Sequence, residues 1–331
     1  MQKRAANGAP REGRARLLAD RRLLYLLPVL ALPIPLFVND YVQYVINLAL
    51  VYVLVGVGFN IVLGNLGQLA FANAAFFGIG AYATGILMHH LAVPFWIALL
   101  VGGGAGAAAG AITALPALRG IRLFYLAIIT LAFGELMRWV YIHAEAVTLG
   151  SMGLAVPQPT FFGVVLATDT HKFYVFLAIV TLLVAATANL LHSRIGRAFM
   201  AIRDNELAAA SMGIPTARYF VLAFAWSGFV VGVGGALYAA LVRLVAPEAF
   251  NLAQLILHFA IVMVGGIGSL AGSVLGALVV TAAPEFMRDL PGFEELLFGA
   301  LIVLILLFLP GGLASLLARY VPLFRERYFW E

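Results

Sequence analysis

The sequence contains no cysteine and only two lysines, Lys3 and Lys172, and 11% of its 331 residues are charged. The absence of cysteine excludes disulfide bonds and thiolate metal sites. Neither lysine stands in the pattern Gly-x-x-x-x-Gly-Lys-Ser/Thr, so the chain has no P-loop with which to hydrolyse a nucleotide. A Gly-x-Ser-x-Gly elbow, a His-Glu-x-x-His motif and any His or carboxylate cluster with metal-ligand spacing are also missing. These absences argue against a hydrolase, an intramembrane protease and a metal site.

Apolar residues are present in excess, at 63% of the sequence, and the mean hydropathy is +1.02. Soluble domains are about half apolar and about a quarter charged, so we expect lipid to be the solvent of this chain. The apolar runs suit helices that cross about 30 Å of hydrocarbon, which takes about 17–25 residues. These runs are continuously apolar and rich in Leu, Ala, Val and Gly, whereas the strands of a β-barrel alternate apolar and polar residues. The sequence therefore predicts an all-α polytopic membrane protein.

Ten apolar segments can be drawn: 23–38, 41–63, 69–88, 93–116, 123–142, 173–191, 217–241, 252–266, 268–283 and 294–309. Seven basic residues precede position 23, which makes that end cytoplasmic by the positive-inside rule. The basic tail is also cytoplasmic if the number of crossings is even, which favours two short crossings within 252–283. The alternative there is one helix plus a re-entrant piece, so we expect about eight to ten crossings.

Three parts follow from these boundaries: a basic cytoplasmic arm at 1–22, a transmembrane domain at 23–310 and a cytoplasmic tail at 311–331. The longest outer connection is predicted at about 143–172, with a small surface element in it. The turn 118–122 and the polar stretch 194–214 fall on the cytoplasmic side.

Glycines recur four positions apart at Gly102, Gly106 and Gly110, at Gly268, Gly272 and Gly276, and at Gly228 and Gly232. Small residues at this spacing let helix backbones approach closely in lipid, and we interpret them as packing sites. The stretches "GNLGQLA" at 64–70 and "GGIGSLA" at 265–271 share the pattern Gly-x-aliphatic-Gly-polar-Leu-Ala, which is a weak internal similarity. It is either a chance similarity in a glycine-rich chain or a repeat of the kind that places helix breaks near a transporter's substrate path.

Polar residues within the apolar segments are candidates for the solute path. Glu135 and Arg138 share a helix face, where they either neutralise each other or line an outward vestibule. His258 is interpreted as a hydrogen-bonded packing residue. Uncharged candidates are Asn65, Gln68 and Asn73, and the glycines of the two repeated stretches, Gly67, Gly265 and Gly268, complete the predicted path. The alternative for the amides is hydrogen bonding between helices.

The stretch 194–214, "RIGRAFMAIRDNELAAASMGI", is polar and helix-prone. Ser193 is a plausible N-cap, and Gly213 followed by Pro215 is a stop signal. On one continuous helical wheel Glu206 falls among apolar residues, so we predict a short helix with poor amphipathicity that docks on a protein. The alternative is a solvated loop. The predicted docking residues are Arg197, Arg203, Asp204, Asn205, Glu206, Ala208, Ala209 and Gly213.

The variant "GRAFMAIRDNELAAASMGI" resembles the Glu-Ala-Ala cytoplasmic loop of ABC importer permeases, in the form found in the branched-chain amino acid permease family. The chain also resembles that family at "GQLAFANAAFFGIGAYATGIL", "YLAIITLAFGE" and "MVGGIGSLAGSVLGA". The resemblance covers roughly residues 45–310 and is greatest to the M-type permease subunit.

This resemblance implies a type II-like importer fold in a bacterial inner membrane, with both termini cytoplasmic. It implies a homologous permease partner in a heterodimer, two cytoplasmic ATPase subunits that bind ATP and Mg²⁺, and a periplasmic solute-binding protein. No cofactor of this chain's own and no nucleic acid is expected. Urea, short amides or another small solute are alternative cargoes. A stand-alone secondary transporter or channel, and an integral scaffold or membrane enzyme subunit, are alternatives of other classes.

Overall fold

The computed structural model describes residues 31–287, 294–309 and 311–315. These residues form a bundle of helices with two small two-stranded sheets, which confirms the predicted all-α class. The described α-helices, numbered in chain order, are α1 (Asp40–Asn60), α2 (Asn73–His90), α3 (Phe95–Thr113), α4 (Leu115–Leu118), α5 (Leu123–His143), α6 (Glu145–Thr148), α7 (Asp169–His192), α8 (Arg194–Asp204), α9 (Glu206–Ser211), α10 (Thr216–Val242), α11 (Leu252–Gly265), α12 (Leu270–Met287) and α13 (Glu294–Phe308). The strands are β1 (Leu154–Ala155), β2 (Thr160–Phe161), β3 (Val164–Val165) and β4 (Leu244–Val245).

Five helical segments among the described residues are long and apolar enough to cross a membrane: Asp40–Asn65, Phe95–Leu118, Phe124–His143, Asp169–His192 and Thr216–Val242. Helices α11 and α12 are apolar but shorter. The 14 residues of α11 extend about 21 Å, less than the roughly 30 Å of a hydrocarbon core. The two form an antiparallel hairpin, because Gly265 lies against Gly272 and Ile261 against Gly276. The segment 252–283 is therefore two helices with a break at 266–269, and that each of them crosses the membrane stays a prediction.

The predicted first crossing, 23–38, lies mostly outside the described residues, and its described part holds a short 3-10 turn at Ile34–Leu36. The basic arm at 1–22 lies wholly outside them, as does most of the tail. The cytoplasmic position of both termini therefore stays a prediction.

Glycine contacts hold the centre of the bundle together. A Cβ on Gly106 of α3 would lie 2.2 Å from the carbonyl oxygen of Gly228 in α10, and one on Gly80 of α2 would lie 2.0 Å from that of Gly232. Such distances leave no room for a methyl group, so α10 packs against α2 and α3 backbone to backbone. The packing interpretation of the spaced glycines is confirmed except for Gly268, which lies in the turn between two helices.

The turn 118–122 and the stretch 194–214, which were both predicted on the cytoplasmic side, lie at the same end of the bundle. We call this end the α8 end. There the turn 118–122 contacts α9, and α8 contacts the segment that follows α1. At the opposite end β1 pairs antiparallel with β4, and His89 Nδ1 lies 2.8 Å from the carbonyl oxygen of Ala155. The strands β2 and β3 form a separate hairpin, so the predicted surface element within 143–172 is present.

Candidate functional site

The polar stretch folds into two helices rather than the single one predicted. Ser193 caps α8 by accepting a hydrogen bond from the backbone N–H of Ile195, which confirms the predicted N-cap. Asn205 then leaves helical geometry with φ −162° and caps α9, its Oδ1 accepting from Ala208 N at 3.0 Å. The segment turns at Gly213, whose φ is +82°, as the stop signal predicted.

The break at Asn205 also corrects the predicted amphipathicity. Helix α8 buries Phe199 and Ile202 against the bundle and exposes Arg197 and Asp204, which is a clean division of faces. Glu206 belongs to the next helix, so a wheel drawn through the whole stretch mixes two helices with different orientations. The physical reason is that one extended residue resets the helical phase.

Helix α9 presents apolar side chains to the surroundings at the α8 end. Leu207 is 82% exposed and Met212 is 84% exposed, and Ala208 lies between them on the outside. Ala209 is only 5% exposed, because it packs inward with Phe199 and its neighbours. Ala209 was predicted as a docking residue, but its side chain packs into this chain and is not presented outward.

Glu206 is paired within the chain. Arg122 Nε donates to Glu206 Oε2 at 2.7 Å, and Arg122 Nη2 donates to Oε1, so the pair is bidentate. The Arg122 guanidinium also stacks over Phe220, with its central carbon 4.3 Å from the ring centroid. Glu206, predicted as a docking residue, is therefore an internal anchor that fixes α9 to the turn before α5.

Arg203 is likewise directed into the chain. Its Nη1 donates to the carbonyl oxygen of Gly64, in the π-helical turn Ile61–Asn65 that follows α1. A Cβ on Gly67 would lie 2.8 Å from Arg203 Cγ, and one on Gly268 would lie 2.9 Å from Nη1. One side chain thus contacts both repeated stretches.

The two repeated stretches also contact each other directly. Asn60 Oδ1 accepts from Gly268 N at 2.8 Å, and Asn60 Nδ2 donates to the carbonyl oxygen of Ser269 at 2.9 Å and to Ser273 Oγ at 2.7 Å. Asn65 Nδ2 lies at 3.5 Å from the carbonyl oxygen of Gly268. We call this contact between the break after α1 and the tip of the α11–α12 hairpin the joint.

The uncharged residues of the predicted path fall into two groups. Asn65, Gly67 and Gly268 belong to the joint, Gln68 is buried beside it, and Gly265 packs against Gly272 within the hairpin. Asn73 is separate, at the start of α2.

A buried polar network joins Asn73 to α11. Asn73 Nδ2 lies 3.1 Å from His258 Nδ1, and His258 Nε2 lies 3.0 Å from Gln254 Nε2. Gln254 Nε2 in turn donates to the Tyr52 hydroxyl at 2.9 Å. His258 is fully buried, so its predicted packing role with hydrogen bonds is confirmed. Gln254 was missed, although its spacing four residues before His258 on one helix was a usable signal.

Glu135 and Arg138 form the predicted pair on one face of α5. Arg138 Nη1 donates to Glu135 Oε2 at 3.5 Å. The Arg138 side chain is 38% exposed and the Glu135 side chain is 52% exposed. Glu135 stands eight residues before the end of α5, so it lies about 12 Å inside that end. Around it the exposed face of the helix is apolar, with Leu136 and Trp139. Within the described residues no group of His, Asp or Glu is placed to hold a metal ion.

This arrangement agrees with comparisons against known proteins. Residues 41–309 match the family described as the permease component of the branched-chain amino acid transport system. The chain belongs to this family. No solved structure matches the chain.

Relatives of this branched-chain permease family cover most of the chain. It is 34% identical to the high-affinity branched-chain amino acid transport system permease protein LivM of Escherichia coli (strain K12), over 89% of this chain and 75% of that protein. It is 25% identical to the corresponding LivH protein of Salmonella typhimurium, over 81% of this chain and 92% of the relative. It is 26% identical to the high-affinity branched-chain amino acid transport system permease protein BraD of Pseudomonas aeruginosa, over 83% of this chain and 96% of that protein. The resemblance inferred from the motifs is confirmed, and the chain is a multi-pass transport permease.

Proposed function

We propose that this chain is the permease subunit of an ATP-driven ABC importer in a bacterial inner membrane. It forms part of the path for branched-chain, hydrophobic amino acids that a periplasmic binding protein delivers. The observation that carries the proposal is the α8–α9 segment, which is anchored internally and presents an apolar surface outside the long apolar helices. Because the sequence has no nucleotide site, the energy comes from two separate ATPase subunits, which bind ATP and Mg²⁺.

The docking surface consists of the exposed residues between Arg197 and Gly213. Leu207 and Met212 are almost fully exposed, yet they stand on a segment whose other face is well packed. Large apolar side chains held in fixed positions by an internal anchor suit insertion into an apolar groove of a partner. Arg197, Asp204 and Asn205 are exposed polar residues of the same segment. Gly213 closes α9 beside Met212.

A second permease chain is part of the proposal. LivM and LivH are each named as permease proteins of a high-affinity branched-chain system, and this chain is similar to both. Helix α5 supplies a physical reason for a partner, since Glu135 and Arg138 are exposed on it at a depth where lipid cannot solvate them. We propose that α5 faces a water-filled path shared with the second permease.

The Glu135–Arg138 pair fits an amino acid zwitterion. An α-ammonium group would exchange onto the carboxylate of Glu135 and an α-carboxylate onto the guanidinium of Arg138, while Leu136 and Trp139 contact the apolar side chain. The residues of the joint, among them Asn65, would line the α8 end of the path once the two repeated stretches separate. Gln68, Asn73 and Gly265 stay candidates for the same path.

The test is purification of the intact complex through a tag on this chain, in mild detergent, followed by mass spectrometry. We expect two kinds of permease chain together with ATPase subunits. In proteoliposomes the complex should take up leucine only with ATP and the binding protein. Uptake by this chain alone would identify a secondary transporter or channel, and competition by urea or acetamide instead of leucine would reassign the cargo.

A further inference from the structure

Arg203 lies in the last turn of α8 and reaches away from the proposed docking surface. Its guanidinium donates to the carbonyl oxygen of Gly64, which belongs to the last turn of the α1 segment. The last carbonyl groups of a helix have no partner within the helix, and a cation at that end interacts favourably with the helix dipole. The contact therefore joins the end of one membrane helix to the polar segment.

The same side chain also fills the space that two glycines leave open. Gly67 and Gly268 have φ values of +73° and +85°, and each contacts Arg203 where a Cβ would stand. They occupy equivalent places in the stretches "GNLGQLA" and "GGIGSLA", and each stretch separates two helices. The internal similarity thus corresponds to two similar helix breaks that meet at one arginine.

The break after α1 has an unusual backbone. Leu66 N donates to the carbonyl oxygen of Ile61 at 2.9 Å, five residues back, which is the π-helical pattern. Single π-helical turns are rare and are found mostly at functional sites. Such a turn and a glycine with positive φ are places where a helix end can shift without disturbing the rest of the helix. The joint is therefore the part of this end that is suited to move.

We infer that Arg203 is a positioning residue that transmits movement of α8 to both helix breaks at once. The inference rests on the proposed function, in which α8 and α9 dock on an ATPase. Phe199 and Ile202 pack α8 against the bundle, so the helix shifts as a unit rather than rotating freely. A shift of α8 would then pull on Gly64 and press on Gly67 and Gly268, which changes the joint between α1 and the α11–α12 hairpin.

The experiment compares Arg203→Met, Arg203→Gln and Arg194→Met in the intact complex. Methionine removes the donors and keeps much of the length, whereas glutamine keeps a polar amide that is too short to reach Gly64 O. Arg194 is an exposed arginine on the same helix and serves as the matched control. Assembly, basal ATP hydrolysis, and the stimulation of hydrolysis and leucine uptake by the binding protein are measured in proteoliposomes.

We expect both Arg203 variants to assemble and to keep basal hydrolysis, and to lose at least about five-fold in stimulation and uptake, the scale of a typical coupling between sites. Arg194→Met should behave as wild type. Full stimulation in either Arg203 variant would overturn the inference. Failure of both variants to assemble, with Arg194→Met intact, would assign Arg203 to folding alone and would overturn it equally. Absence of ATP-driven leucine uptake in the wild-type complex would instead count against the proposed function.

A second readout follows the movement itself. Because the chain has no cysteine, spin labels can be placed at Arg194→Cys and Ile267→Cys, two exposed positions on α8 and at the hairpin tip. We expect the distance distribution between them to stay narrow when ATP is bound, because Arg203 makes α8 and the hairpin tip move together. In Arg203→Gln the distribution should broaden or split on ATP binding. A wild-type distribution in Arg203→Gln would show that another contact provides the link.

Discussion

Arg122 and Glu206 are 84 positions apart in the sequence, and they form a bidentate ion pair that ties the start of α5 to the start of α9. Both side chains are less than a third exposed, and the arginine is also stacked on Phe220. An anchor of this kind sets the angle at which α9 leaves the bundle. It therefore positions the exposed surface of α9 without taking part in that surface.

This pair should behave as a coupled unit in a double-mutant cycle. Arg122→Met and Glu206→Gln should each lower the thermal stability of the complex in nanodiscs, whereas the double variant should cost less than the sum. We expect a coupling energy of about 0.5–3 kcal/mol, the range for residues in direct contact. The apparent Tm followed by tryptophan fluorescence checks this. Strict additivity would show that the pair contributes nothing beyond its separate side chains.

The glycines of α3 offer a matched pair for testing the close helix contacts. A Cβ on Gly106 would lie 2.2 Å from Gly228 O, whereas nothing lies within 4 Å of one on Gly104. Gly106→Ala should therefore separate α3 from α10 and lower the apparent Tm of the complex. Gly104→Ala should be neutral or stabilising, by up to about 1 kcal/mol, because alanine is the better helix former. Equal effects of both variants would contradict this packing.

The docking surface of α9 should be sensitive to charge. Leu207→Glu and Met212→Glu place a carboxylate where a partner's apolar groove would close, so the ATPase subunits should be lost from the purified complex. Because both side chains are almost fully exposed, the permease itself should keep its expression level and its elution volume in detergent. Retention of the ATPase at wild-type stoichiometry in both variants would remove α9 from the interface.

Gly213 should be required for its backbone conformation rather than for lack of a side chain. Its φ is +82°, and nothing lies within 4 Å of a Cβ placed on it. Gly213→Leu should weaken the turn by about 1–2 kcal/mol, the cost of a left-handed conformation for an ordinary residue. Gly213→Asn should be tolerated, since asparagine adopts this conformation readily. Stimulated ATP hydrolysis measures both, and loss in both variants would indicate that the partner needs the bare glycine.

The Glu135–Arg138 pair should affect solute affinity more than assembly. Glu135→Gln and Arg138→Gln each remove one charge that the zwitterion would meet, so the KM for leucine uptake should rise about ten-fold, equivalent to about 1.4 kcal/mol. Tyr125→Phe, a change at another exposed residue of α5, is the control. Unchanged kinetics in both charge variants would place the pair outside the path.

The course of the main chain was largely predictable from the sequence. Continuous apolar runs mark the long helices, because a membrane span needs a fixed length of apolar residues. The hairpin at 252–283 was predictable from its Gly-Gly-Ile-Gly sequence, and the close helix contacts from glycines four apart, such as Gly106 and Gly110.

The orientation of the polar side chains was not predictable. Arg203 and Glu206 stand in a polar, exposed-looking stretch, but their partners are Gly64 and Arg122, far away in sequence. A local pattern contains no information about such pairs, since they depend on which helix ends meet in three dimensions. Asn205 could have been recognised as an N-cap three residues before Ala208.

The glycine crossings of α10 with α2 and α3 have a mechanical consequence. Gly80 and Gly106 lie directly against backbone atoms of α10, so at these two crossings the helix backbones meet without a side chain between them. These three helices therefore act as one stiff block, and an alternating cycle has to be completed by parts outside it. We expect movement to be concentrated in the short α11–α12 hairpin and in α5, of which only 22% is buried within the chain. Under the proposed function, α2, α3 and α10 would stay fixed during transport while the hairpin and α5 change position.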